Sequence, residues 1–357
     1  MAVKYLAGDR LIGTAAERAA MTTSASAIPQ NSWKEIARTT LGSASSTFNT
    51  STFTGKKYLW VQIYGSRSSG SDDGIIRFNS DSGSNYARRF STNGGSDGTG
   101  ASATSISNML ASEGNRDPFY SNSFIINKAD KEKFIISNLC FVDSGAGAGN
   151  APSRRESANK WTNTSDQITS IQVSGGTFDA GSEIVVLGCD DDEADSGTNY
   201  WQELAVKELS STGDTIDSGT ITAKKYLKVA ISINATSAVR TQFQFNSDTG
   251  SNYANRNEKN GASDSTNPGM GRIYLNDLER SSDGYAVAYI FNVADKEKLI
   301  IHDDIWQNST GASNIPDRVR TMAKWANTSD QITSIQLLND KAGDFASGSF
   351  IRIWGAD

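Results

Sequence analysis

The chain has 357 residues, enough for two domains that each bury a core of their own. Its apolar fraction is only 37% and it carries 32 glycines, a balance that excludes a helix-rich bundle and suits many short strands joined by polar turns. A net charge of −6 leaves no basic footprint for nucleic acid or an anionic membrane, so a genome-binding role is excluded and no nucleic-acid partner is expected.

The first 32 residues, which open with "MAVKYLAGDRLIGTAAERAAM", show neither a secretory pattern nor an apolar run of spanning length. No membrane insertion is expected. The stretch "TAAERAAM" is the one convincing helical pattern, and residues 1–32 read as an N-terminal arm or anchor.

From Trp33 onward the chain is written twice, at an offset of about 165 residues. "SWKEIA" at Trp33 answers "YWQELA" at Trp201, and "KKYL" recurs at Lys56 and Lys224. "FNSDSGSNYARR" at Phe78 returns as "FNSDTGSNYANR" at Phe245, and "ADKEK" recurs at Ala129 and Ala294. "WTNTSDQITSIQ" at Trp161 matches "WANTSDQITSIQ" at Trp325, and "GSEIVVLGCD" matches "GSFIRIWGAD". The period suits a whole domain. Residues 33–190 and 201–357 are therefore two copies, and 191–200 an acidic linker.

Within each copy the pattern is that of strands. Leu59, Val61 and Ile63 alternate onto one face, as do Leu227, Val229 and Ile231. Ile76/Phe78 and Phe243/Phe245 also point inward. With "WKEIART" and "YARRF", about eight strands per copy result. The fold class is all-β: two tandem homologous jelly-roll-like β-sandwiches preceded by a short arm. Cys140, in an apolar strand, reads as a small buried hydrophobe, and two cysteines make neither a disulfide framework nor a zinc site.

The duplicated dodecapeptide reads as a hairpin turn, with Gly83 and Gly250 supplying positive φ and Asp81 and Asp248 accepting turn amides. Its other use would be a calcium loop through Asp81, Asn85, Asp248 and Asn252, although no second carboxylate lies nearby to complete one. No other cofactor is suggested. His302 stands alone, with no Ser elbow, and reads as a strand-edge residue. The shared acids Asp130/Asp295, Glu132/Glu297 and Asp166/Asp330 fall in turns, so the chain reads as non-enzymatic, although a glycosidase could be built from two acids converging on one cleft.

Two surfaces remain as binding candidates. Arg154, Trp161, Arg318 and Trp325 are duplicated and could stack and hydrogen-bond a sugar, or else close the sandwich ends. Tyr58, Trp60 and Tyr64 form an aromatic row opposite the core that exists in copy one only, where copy two has Tyr226, Lys228 and Ser232. Such a row marks a contact with a partner subunit or a glycan, or burial under the other copy.

"RFNSDSGSNYARR", "APSRRE" with "KWTNTSDQITSI", and the closing "GSEIVVLG" resemble a β-sandwich repeat of virion structural proteins from tailed phages, particularly marine and uncultured ones. The opening "YLAGDRLIGTAAERAAM" resembles the segment that precedes such domains. The resemblance implies a virion component assembled in the host cytoplasm, in contact with other virion proteins and sister subunits as a homo-oligomer. It implies a fibre- or spike-type appendage with host-glycan adhesion, or alternatively a capsid decoration protein. A free carbohydrate-binding module is the remaining reading.

Overall fold

A computed structural model describes residues 33–69, 74–111, 118–142, 145–190, 200–275, 279, 281–307 and 315–357. The arm, its helical pattern and the acidic stretch 191–199 lie outside the described residues.

The first copy runs through β1 (Lys34–Thr40), β2 (Ser45–Asn49), β3 (Tyr58–Gly65), β4 (Arg67–Ser69), β5 (Ile75–Phe78) and β6 (Tyr86–Thr92). It continues with β7 (Gly98–Ala103), β8 (Phe119–Ile126), β9 (Lys133–Phe141), β10 (Ser153–Trp161), β11 (Ile171–Phe178) and β12 (Glu183–Cys189). The second copy repeats the series as β13 (Gln202–Glu208), β14 (Thr215–Asp217), β15 (Tyr226–Ile233), β16 (Gln242–Phe245), β17 (Tyr253–Lys259) and β18 (Ser265–Met270). It ends with β19 (Ile273–Tyr274), β20 (Gly284–Phe291), β21 (Lys298–Trp306), β22 (Asp317–Trp325), β23 (Ile335–Leu338) and β24 (Phe350–Ala356).

Each copy is an antiparallel sandwich of one eight-stranded and one four-stranded sheet. The large sheets run β1-β12-β3-β8-β9-β10-β6-β7 and β13-β24-β15-β20-β21-β22-β17-β18, the same order twice. Alternation does the folding: Leu59, Val61 and Ile63 enter the first core, while Leu227, Val229 and Ile231 enter the second. Among the described residues each copy has twelve strands in place of the expected eight: in copy one β2 and β4 add to the small sheet, and β7 and β10 to the large one.

The dodecapeptide is not a hairpin. β5 pairs with β11 in the small sheet, whereas β6 pairs with β10 in the large one, so the loop is a corner from one layer to the other. The left-handed residues are Asn79 and Ser80 (φ 52° and 57°), with Asn246 and Ser247 matching them, and not the glycines. Asp81 N–H donates to the Phe78 carbonyl at 2.9 Å, closing a type I′ turn. Gly83 serves another purpose: a Cβ there would come within 2.8 Å of Asn85 Nδ2.

A third apolar cluster joins the copies. The outer faces of the two large sheets meet through Trp60, Tyr64, Tyr120 and Cys140 on one side and Tyr226, Phe291, Leu299 and Ile301 on the other. For this reason β3 is buried along both faces.

Candidate functional site

Three of the repeated motifs, the dodecapeptide, "ADKEK" and "NTSDQITSIQ", converge on the corner. The Asp81 carboxylate accepts from Trp161 Nε1 at 2.7 Å, Gly83 N–H at 2.8 Å and Asn85 Nδ2 at 2.9 Å. Burial pushes this carboxyl up, but those donors outweigh it and hold it below the usual aspartate value. Asp248 repeats the arrangement with Trp325, Gly250 and Asn252. Tyr86 Oη receives the Phe78 N–H at 3.0 Å and donates to the Asp81 carbonyl at 3.0 Å.

The next layer is equally specific. Asn79 Oδ1 receives the Thr169 and Ser170 N–H groups, and its Nδ2 donates to the Gln167 carbonyl. Asn127 receives the Ile168 N–H at 2.6 Å and donates to the Lys56 carbonyl. Lys133, fully buried, donates to the carbonyls of Ala129, Lys131 and Asn163 while lying 5.5 Å from the Trp161 ring centroid. Lys298 does the same with Ala294, Lys296, Asn327 and Trp325. The repeated letters therefore fold the chain, each polar group satisfying a loop backbone that has left the sheet ladder.

This corrects the candidate sites. The Asp81/Asn85 and Asp248/Asn252 turns present no open oxygen cage, since the Asn amide nitrogens face the carboxylates and the carboxylates serve indole and backbone donors. Among the described residues no group of three His, Cys, Asp or Glu side chains gathers as a metal site would. Trp161 and Trp325 are 1% exposed, with their rings inside the two cores, so neither offers a face to a sugar. Arg154 is buried too. It forms a bidentate pair with Asp264 of the second copy, at 2.8 and 3.0 Å, and binds Glu156. Its equivalent Arg318 keeps a half-exposed side chain and binds Glu258.

The aromatic row is likewise not an external surface. Tyr64 stacks on Phe291 at 3.7 Å, and Trp60 packs against Trp201 at 5.3 Å and Tyr289 at 5.4 Å. Lys228, which replaces Trp60 in the repeat, lies 5.6 Å from the Trp60 ring centroid. Tyr58, at the end of the row, is only partly covered. The expected partner is the chain's own second copy.

Polar groups rim this junction. Glu183, on β12, receives the Tyr226 hydroxyl at 2.5 Å and the Lys225 ammonium at 2.8 Å. Burial acts to raise its carboxyl, yet Lys225, Thr40 and Tyr226 hold it below the ordinary glutamate range. Arg256 donates to the Pro152 carbonyl, and Arg320 pairs with Glu156. Cys140 is fully buried at the junction, with its thiol pushed up to about 12 chiefly by burial, so it behaves as a hydrophobe.

His302 is buried, not at a strand edge. Both ring nitrogens lack a hydrogen-bond partner among the described residues, and burial pulls its pKa down to about 4. It lines a cavity with room for about one water, beside Thr241, Asp304 and Trp306. Of the shared turn acids, Asp166 receives Asn163 Nδ2 and Glu132 pairs with Lys160, while Glu297 pairs with Lys324 and also receives the Gly147 N–H of copy one at 2.5 Å.

No protein family and no curated protein matches the chain. Among solved structures, domains LG4-5 of the mouse laminin alpha1 chain are 13% identical over 90% of each chain, with a TM-score of 0.20. Neisserial surface protein A (NspA) is 7% identical over 83% of this chain and 97% of its own, with a TM-score of 0.13. Scores this low carry no argument about fold or function.

Proposed function

We propose that the chain is a non-enzymatic structural component of a tailed-phage particle that works through protein contacts on the flat faces of its large sheets. One observation carries this reading. The duplicated Trp, Arg and Asp side chains that could have served a ligand are committed to internal bonds, while exposed Phe134, Ile136, Tyr285 and Ile305 stand on open sheet faces. Flat apolar faces of this kind fit another protein better than a small molecule, which is held in a concave site. The particle itself comes from the resemblance of the repeated motifs to virion sandwiches.

Of the two places on a particle, lattice reinforcement of the head fits better than glycan adhesion. An adhesin needs aromatic rings near exposed loops, and the rings that the repeated motifs place beside the corner loops, Phe78/Phe245, Tyr86/Tyr253 and Trp161/Trp325, are interior in both copies. Immunogold labelling of intact particles with an antibody against residues 201–357 tests the reading. Gold spread over the head is the expected result. Gold on a tail appendage, together with glycan binding by the purified chain, would replace it with adhesion. Particles without gold would remove the virion role altogether.

A further inference from the structure

The large apolar side chains exposed on the two copies are the equivalents of those that the junction buries. On copy one, Ile126, Phe134 and Ile136 are 37%, 57% and 64% exposed. Their equivalents on copy two, Phe291, Leu299 and Ile301, are buried in the inter-copy cluster. On copy two, Tyr285 and Ile305 are 50% and 49% exposed, and their equivalents Tyr120 and Cys140 are buried in that same cluster. Only Ile315, among the exposed large apolar residues described, falls outside this correspondence.

The reason is that the contact is half of a symmetric one. Equivalent positions meet at Trp60 with Lys228, Phe124 with Tyr289, and Glu156 with Arg320. On one side of that line the sheets close. On the other side the corresponding halves of both faces stay open, an apolar patch on each.

The open halves are also complementary. Where the closed half has Arg154 bound to Asp264, which also keeps Arg256 of its own copy, the open halves have Arg318 on copy two, paired with Glu258, and Asp97 on copy one, paired with Arg89, their side chains 53% and 49% exposed. The closed half takes a ring from Tyr64 beside Glu183 on the neighbouring strand. The open half of copy two has Ser232 beside Phe350, so ring and polar group have exchanged strands.

We propose that the open half of copy one (Ile126, Phe134, Ile136, Asp97) receives the open half of copy two (Tyr285, Ile305, Phe350, Arg318) from a second molecule of this chain. The contact between chains then rebuilds the contact within each chain. Because one patch meets a different patch, the association is heterologous: it closes into a ring or runs on as a filament, according to the rotation at each step. This inference does not depend on the virion reading.

Analytical ultracentrifugation of the full chain and two exposed-face variants, Ile136→Asp and Ile305→Asp, tests it. The wild type should sediment above its 38.3 kDa monomer mass, and each variant alone should shift at least tenfold toward monomer. Mixing the two variants should restore a species of two chains, since each supplies the patch that the other has lost. Unchanged circular dichroism melts would confirm that both variants fold. A wild type that stays monomeric at its highest soluble concentration overturns the proposal, as do variants that associate like wild type or a mixture that stays monomeric. A monomer in solution alongside gold-labelled particles would remove this inference and leave the proposed function standing.

Discussion

Position 302 shows how one residue can diverge while the core around it is kept. In copy one the equivalent Ser137 bonds Ser123 at 2.9 Å and lies 3.4 Å from Ser121, a small polar set on the core face. Copy two has His302 there, and Ala286 and Ala288 stand where the two other serines were, so a large ring and two methyls fill the place of three hydroxymethyls. The imidazole is left neutral and without a partner. In the unfolded chain it takes up a proton near its ordinary value of 6.5, and in the folded chain only near 4. Between those values the unfolded state binds a proton that the folded state does not, so stability should fall as pH falls across that window. The full loss is about 3 kcal/mol. Urea midpoints between pH 7 and 4 should drop more steeply for wild type than for His302→Ser, and equal slopes would refute the assignment.

At the scale of the element, the corner between β5 and β6 is the unit that the repeat preserves. Removing the Asp81 carboxylate strands the buried Trp161 N–H and two turn donors, so Asp81→Ala should cost about 2–3 kcal/mol, read as a lower urea midpoint at unchanged slope. A chelator should leave the wild-type melting temperature where it was, and a fall would restore the calcium reading. That the dodecapeptide turns was legible in its Asp, Gly and Asn letters. That it crosses between sheets was not, because the partner strands β11 and β10 lie many residues further along the chain. The alternation of Leu59, Val61 and Ile63 was legible because burial on one sheet face writes itself locally. Arg154 was misread for the opposite reason: its partner Asp264 lies in the other copy. The positive φ fell on Asn79 and Ser80, since a type I′ turn takes its two central residues wherever the strand ends, and Asn tolerates that region.

At the scale of the whole molecule, duplication supplied two similar sandwiches and divergence joined them. The loss of likeness along β3 and β15, Trp60 against Lys228 and Tyr64 against Ser232, could be read from the sequence as a contact surface, but not what covers it. The mirrored burial along the central strands β8 and β20 gives that answer. β8 is covered at Tyr120 and open at Ile126, whereas β20 is open at Tyr285 and covered at Phe291. The junction includes a charged pair on Asp264, the Glu183 cluster and an apolar core of its own. One copy should therefore not unfold while the other persists.

Differential scanning calorimetry tests that claim most directly, run on the Ile136→Asp variant so that contact between chains does not enter. A single transition whose calorimetric and van't Hoff enthalpies agree is the predicted result. Two resolved transitions, or one peak with a calorimetric enthalpy about twice the van't Hoff value, would mean that the copies unfold independently, and would contradict the account.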